Sequence, residues 1–446
     1  MTSSRRISRR RALLAATVAT PLVAIGSLTA IAIAQPPADR RVAQSFAFGQ
    51  DAARELTKAR AWTGPVNALE LQRDATRREL VVLMTSVLGL PKGPTGAPWR
   101  DIAADDPQGA AAKAAFAKGW LAPAGDAMAL DAPVSGSDAN RAFTLGLGMA
   151  KAVARMGQFT DGAGRAFTLP DGFATSITAR EAGLRRNYPS SDDQYERPDS
   201  QPLRLADLLL MASRGRYIRR NGIPSSVRAL QGFRIPPVDP IFVPTVQRAL
   251  SLVGNPYVWG GESLDTTSPL DPQAAGGFDC SGLVWYVWHT GDRAAEAQIN
   301  MPSGRTTYTM NVGKRGKRIA WQAAQAGDLV FFGSGGRRTP LDQASHMSIS
   351  LGNKWIIHSS GGRGGVSITY LPTYWPSGLM NARSLRVDAT TPAAPDQPAT
   401  APPPTTTPEP VTPAPITTPG TGAPQAPAPP PQPSPAPGAP QAPAPG

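Results

Sequence analysis

One cysteine, Cys280, sits in the string Gly276-Gly277-Phe278-Asp279-Cys280-Ser281-Gly282, and the chain carries only three histidines, His289, His346 and His358. A thiol with an imidazole base is the pair that nucleophilic catalysis needs, because the thiolate and not the thiol attacks a carbonyl. A lone cysteine closes no internal disulfide, and one such ligand is too few for a zinc site. No metal and no cofactor is therefore expected. Free cysteine is most simply a small buried hydrophobe. Yet a glycine-flanked polar entry into the apolar run Leu283-Val284-Trp285-Tyr286-Val287-Trp288 is a poor place to hide one. The nucleophile is the reading to test.

The elements around these residues must position them. The apolar run, ended by Thr290-Gly291, reads as a buried helix with Cys280 in its first turn. Unpaired N–H groups and the helix dipole there favour the thiolate, so a lowered thiol pKa is expected. Gly327 to Phe332 reads as a strand. His346-Met347-Ser348-Ile349-Ser350-Leu351 alternates as a half-buried strand, Gly352-Asn353-Lys354 is a turn, and Trp355 to His358 returns as the partner. Side chains alternate along a strand, so His346 and His358 share a face only if the turn has an odd number of residues or a bulge shifts the register. A two-residue Gly-Asn loop would separate them. Three-residue or bulged geometry is expected. His289, at the end of the cysteine helix, favourably meets the helix C-terminus and reads as structural.

Upstream, a helix through Ala249 to Val253 is broken by Gly254-Asn255-Pro256, and Tyr257-Val258-Trp259-Gly260-Gly261 follows. The ordered blocks GNPYVWGG, FDCSGLVWYVW, QAGDLVFFG and HMSISLGNKWIIHSS, with Gly365-Val366 after them, resemble the NlpC-like cysteine peptidases over 245–388. The resemblance implies an α+β fold, a papain-like domain with helices packed on an antiparallel sheet. It implies Cys280 as nucleophile, His346 as general base and His358 as the polar residue that orients the imidazole. The Tyr257 hydroxyl and the Cys280 backbone N–H would stabilise the oxyanion, and Asp279 and Ser281 would help shape the substrate site. The implied substrates are peptidoglycan stem peptides, cut between D-γ-glutamate and the diamino acid through a thioester. A catalytically silent or occluded wall-tethering protein, or an amidase or acyltransferase on the same fold, are the alternatives. Two departures stand out. The segment 262–275 is longer than the family's usual connection and is expected to form a loop over the cleft, and the family's Leu-Pro-Arg block becomes Met301-Pro302-Ser303-Gly304-Arg305.

The rest of the chain frames this domain. Five arginines and no acid in the first eleven residues precede an uncharged, mostly apolar stretch that ends in Ala32-Ile33-Ala34, so 1–34 reads as an export signal. If uncleaved, it would be a membrane anchor. Without those five arginines the net charge of +13 falls to +8, spread along the chain, which suits a wall or membrane surface. No nucleic-acid-binding motif is present, and nucleic acid is not an expected partner. Residues 40–220 read as mostly helical, with capping signals at Thr76-Arg77-Arg78-Glu79, Ser135-Gly136-Ser137-Asp138 and Thr178-Ala179-Arg180-Glu181. With Trp99-Arg100-Asp101-Ile102, an alanine-rich helix over 110–117 and Gly119-Trp120-Leu121, their order resembles S-layer homology repeats. That implies adhesion to wall polymers. Prolines mark 221–244 as a linker, and the Pro/Ala/Thr-rich 389–446 as a disordered, extended tail.

Overall fold

The computed structural model describes residues 37–270, 272–290 and 302–387. The readings of 1–34 as a signal and of 389–446 as a tail lie outside them. Helices dominate the first part: α1 (Pro37–Ser45), α2 (Ala47–Lys58), α3 (Ala68–Leu71), α4 (Arg77–Leu88), α5 (Gly109–Ala117), α6 (Gly136–Gly146), α7 (Ala150–Gly157), α8 (Phe173–Glu181), α9 (Leu205–Asn221) and α10 (Ser225–Leu230). Then come α11 (Val243–Ser251), β1 (Glu262–Ser263), β2 (Gly277–Phe278), α12 (Cys280–His289), α13 (Thr307–Val312), β3 (Lys317–Ile319), β4 (Leu329–Phe332), β5 (His346–Gly352), β6 (Trp355–Ser360), β7 (Gly365–Tyr370) and β8 (Leu379–Ser384). The fold is α+β, a helical region followed by helices packed on an antiparallel sheet.

Capping chemistry starts the helices where the sequence offers it. Thr76 and Glu79 form a reciprocal capping box on α4, and the Ser135 hydroxyl accepts from the Asp138 N–H on α6. The segments ahead of α4, α6 and α9 meet in a closed ring of backbone hydrogen bonds, from Ala75 N to Leu203 O, Val134 N to Ala75 O and Leu203 N to Val134 O, each 2.8 Å. Thr178-Ala179-Arg180-Glu181 is not a helix start. It is the last turn of α8, which begins after Gly172 (φ 74°) and gives way to Gly183 (φ 70°). The third helix start in the ring belongs to α9, whose N-cap, Arg204, makes no side-chain capping bond and so left no capping signal to read.

The segment read as a linker is packed, not free. It carries α10, and Val227, Leu230, Phe233, Ile235 and Val238 are buried. Proline here ends helices without leaving the chain in solvent, because apolar residues alternate with the prolines and find the core. One continuous cluster of buried side chains runs from Phe46 to Leu385 and joins the helical region to the sheet domain, with Phe233 edge-on to Trp355 at 4.9 Å.

The sheet has the order β3-β8-β4-β5-β6-β7, every neighbouring pair antiparallel. Met347, Ile349 and Ile357 share the core that holds Leu283, Val284 and Val287 of α12, while Val330, Phe332, Ile356, Trp375 and Ala382 build a second core. β5 is thus buried along its whole length rather than half-buried. Its polar alternation marks a face covered by protein, not by water.

Candidate active site

The β5–β6 hairpin decides whether the two histidines meet. Its turn residues, Asn353 (φ 51°) and Lys354 (φ 67°), have the paired left-handed geometry of a tight two-residue hairpin. The ladder pairs Ile349 with Ile357 and Ser350 with Ile356, then Gly352 with Trp355, so Leu351 is an extra residue in β5. This bulge restores the parity, as expected, and places His346 and His358 on one face. Their rings lie 5.1 Å apart, with His346 Nε2 2.9 Å from His358 Nδ1. The Tyr374 ring packs edge-on to His358 at 4.7 Å and lies 5.8 Å from His346.

Burial sets the charge state of the pair. His346 is lowered to about 4 by burial, and His358 falls well below its ordinary value through burial, then through repulsion from His346 and Arg363. Both imidazoles are neutral near pH 7.

Cys280 is the first residue of α12, as the sequence indicates, and Asp279 caps it by accepting from the Gly282 N–H at 2.5 Å. The thiol is buried, at 8% exposure. Its Sγ lies 3.3 Å from the Thr307 hydroxyl, and the backbone N–H of Met347, next to His346, also bonds it. Among the described residues no hydrogen bond joins Sγ to either imidazole. The expected lowering of the thiol pKa is not found. Burial pushes Cys280 up to about 11, with the Asp279 charge adding to it, and the Thr307, Met347 and Ser281 bonds offset only part. Desolvation of the anion outweighs the helix dipole here.

The flanking residues are held by Arg305. Its guanidinium pairs with Glu262 and, at 3.3 Å, with Asp279, and it donates to Ser281 Oγ at 2.9 Å and to the Gly260 carbonyl at 2.9 Å. Burial pulls the Arg305 pKa down, but Asp279 and Glu262 more than offset it. Arg305 thus ties the start of α12 to the Trp259-Gly260-Gly261 turn, and the polar atoms of Asp279 and Ser281 are engaged by this clamp and the helix cap. Within the described residues of 262–275, Gln273 is the hub of the hydrogen bonding. Gln273 donates to the carbonyls of Ser263, Ala275 and Gly277 and accepts from the Glu262 N–H.

Tyr257 is half-buried, and its hydroxyl has no hydrogen-bond partner among the described residues. Burial raises its pKa, and the nearby Cys280 and Asp279 charges raise it further, so it stays a proton donor. His289 lies at the far end of α12, stacked on Trp285 at 4.7 Å with Nδ1 2.8 Å from the Trp285 carbonyl. Behind His358, Nε2 lies 3.1 Å from Thr369 Oγ1 of β7, and the Thr369 hydroxyl donates to Glu181 Oε1 of α8 at 2.6 Å. Arg363 faces the same carboxylate at 3.1 Å. Burial raises the Glu181 pKa, opposed by Arg363 and Thr369. Sequence reasoning missed Thr307, Thr369, Tyr374 and Glu181. No local pattern flags them, since Glu181 and Thr369 are 188 residues apart.

A cysteine at a helix start, beside a hydrogen-bonded histidine pair on an antiparallel hairpin, matches the pattern of the motif blocks, and the segment that carries it matches the NlpC/P60 family over 254–384. Residues 254–384 are an NlpC/P60 domain. Among curated relatives, the peptidoglycan endopeptidase RipB of Mycobacterium tuberculosis is 32% identical over 126 residues, which is 28% of this chain and 45% of RipB. The murein DD-endopeptidase MepH of Escherichia coli is 32% identical over 146 residues, 32% of this chain and 46% of MepH. The chain spans less than half the length of each of these relatives, and the similarity falls on the NlpC/P60 domain.

Proposed function

We propose that this protein is an exported cysteine endopeptidase of the cell wall that cleaves peptidoglycan stem peptides. The observation that carries the reading is the bulged hairpin that joins His346 to His358 at 2.9 Å, beside the helix start that bears Cys280. The NlpC/P60 domain and the names of RipB and MepH support the substrate class and a place in the wall.

The proposed roles are those the resemblance implies, and the geometry supports them. His346 Nε2 is engaged by His358, which leaves Nδ1 for the thiol. As Sγ attacks the amide carbon, its proton passes to Nδ1 and the carbonyl electrons move to oxygen. The Tyr257 hydroxyl and the Cys280 N–H, one of the unpaired donors at a helix start, meet that oxyanion, a contact often worth about 3 kcal/mol. The C–N bond then breaks, the amine leaves with the proton from His346, and a thioester remains. Water, deprotonated by His346, hydrolyses it. His358 holds the His346 ring and supplies no charge. Asp279 and Ser281, held by Arg305, shape the rim on the substrate side. The bond proposed is that between D-γ-glutamate and the diamino acid. The Thr76–Glu79 capping box and the Ser135 cap support the S-layer-homology reading of the helical region, with wall polymers as its partners.

A second reading has a specific observation behind it. The thiol is buried and bonded to Thr307, as it would be in an occluded protein that only tethers to the wall. Purified muropeptides incubated with the protein and with Cys280→Ala, followed by mass spectrometry, separate the two. Cys280-dependent products with a new D-glutamyl γ-carboxylate are expected. Absence of any Cys280-dependent cleavage refutes the enzyme, and cleavage only at a D,D bond would move the bond to the type named for MepH.

A further inference from the structure

We propose that Glu181, on the helical half of the chain, is a positioning residue that sets the tautomers of both active-site histidines through Thr369. The inference rests on the reading of Cys280 and His346 as the reacting pair, and it follows the direction of three consecutive hydrogen bonds.

A hydroxyl has one proton to give. With Glu181 ionised opposite Arg363 at 3.1 Å, Thr369 gives its proton to Glu181 Oε1 at 2.6 Å, so toward His358 it can only accept. His358 Nε2, 3.1 Å away, must then carry its N–H. A neutral imidazole carries one N–H, which leaves His358 Nδ1 a bare acceptor. His346 Nε2, at 2.9 Å from that atom, must donate to it. His346 is neutral too, so its Nδ1 is left with a free lone pair. That lone pair is what a general base needs to take the thiol proton.

Removing the acceptor at the far end reverses the chain. Without Glu181 the Thr369 hydroxyl is free to donate to His358 Nε2. The His358 proton would then sit on Nδ1 and face His346 Nε2 as a donor, and His346 would carry its own proton on Nδ1. The base would present an N–H to the thiol instead of a lone pair. Nothing from solvent stands in for Glu181: Glu181 is 2% exposed, Thr369 and His358 0% and His346 7%. Arg363 Nε faces the carboxylate at 3.1 Å as an ion pair, and the Glu181 backbone carbonyl accepts from the Ser226 hydroxyl at 2.7 Å. The helical region therefore supplies a group that the NlpC/P60 domain lacks, placed by the packing of α8 against β7.

The test is made on the full chain, where three histidines keep the imidazole spectrum assignable. The ¹⁵N shifts of labelled imidazoles report each tautomer, with His289 as the internal reference. The expected result is Nε2–H for both His346 and His358. Thr369→Val, and Glu181→Ala where it folds, should shift the His358 tautomer and lower kcat on muropeptides by about tenfold or more with KM unchanged. Thr369→Ser, which keeps the hydroxyl, should restore the wild-type tautomers. An Nδ1–H tautomer for His358 in the unsubstituted protein overturns the proposal. So does a folded Thr369→Val that keeps both tautomers. The spectra need no turnover, so a protein that cleaves no muropeptide refutes the enzyme reading while the relay is still decided.

Discussion

The lone thiol makes its own ionisation measurable without interference. With Cys280 pushed up to about 11, its thiolate fraction at pH 7 is ~10⁻⁴, against ~3% for a free cysteine near 8.5. That is a deficit of roughly 300-fold. The more basic thiolate is also the better nucleophile, and a Brønsted slope of ~0.4–0.5 over that difference returns roughly 10- to 20-fold. Net alkylation should be about twentyfold slower than for a free thiol, before any shielding by Thr307 is counted. The assay is iodoacetamide labelling of the intact protein across pH 6 to 10, followed by mass spectrometry, with a cysteine peptide as reference. Each pH unit should raise the rate about tenfold, with no plateau below pH 10. Fast labelling at pH 6, with a flat profile above it, would refute the reasoning: the resting site would then hold a thiolate–imidazolium pair. If the slow profile is found, proton transfer from sulfur belongs to the attack itself and not to the resting protein.

Two further outcomes follow from the same site. His346 is depressed to about 4 in the fold from an ordinary 6.5, so the unfolded chain binds its proton first as pH falls. Its contribution is complete above pH 6.5 and is lost as pH drops toward 4, by up to about 3 kcal/mol. Urea unfolding at pH 7.5 and 4.5 should therefore show a smaller acid loss in His346→Gln than in the unsubstituted protein, and equal losses would remove the burial argument. Arg305→Ala should cost about 3 kcal/mol, because Glu262 is left buried without its cation and the start of α12 loses its tie to Gly260. Arg305→Lys should recover little, since one ammonium cannot span the acceptors that the planar fork reaches. Urea midpoints measure both, and a loss under about 0.5 kcal/mol for Arg305→Ala would make the clamp no stronger than a surface pair.

The local features of the site were legible because each is a short-range pattern. A polar, glycine-flanked entry followed by an apolar run is enough to place Cys280 at a helix start. Parity along a strand is enough to demand a bulge between His346 and His358, and Leu351 supplies it. The Thr76 and Ser135 caps were legible for the same reason, since a cap bonds only three residues ahead. Thr178-Ala179-Arg180-Glu181 has the same letters and was misread, because Gly172 had already started that helix and packing, not capping, holds its last turn.

The sequence by itself determined the candidate nucleophile, the two histidines that could serve it, and the hairpin that must join them. Backbone periodicity and local hydrogen bonding set all three. Tertiary structure alone decided the electrostatics. Whether Cys280 at a helix start is a thiolate depends on how much water is excluded from it, and burial is a sum over distant segments. It decided too that α8 presses Glu181 against Thr369, joining a helical region read as separate to the histidines. A contact across 188 residues leaves no period, cap or spacing in the chain, because it is made by packing and not by neighbouring backbone.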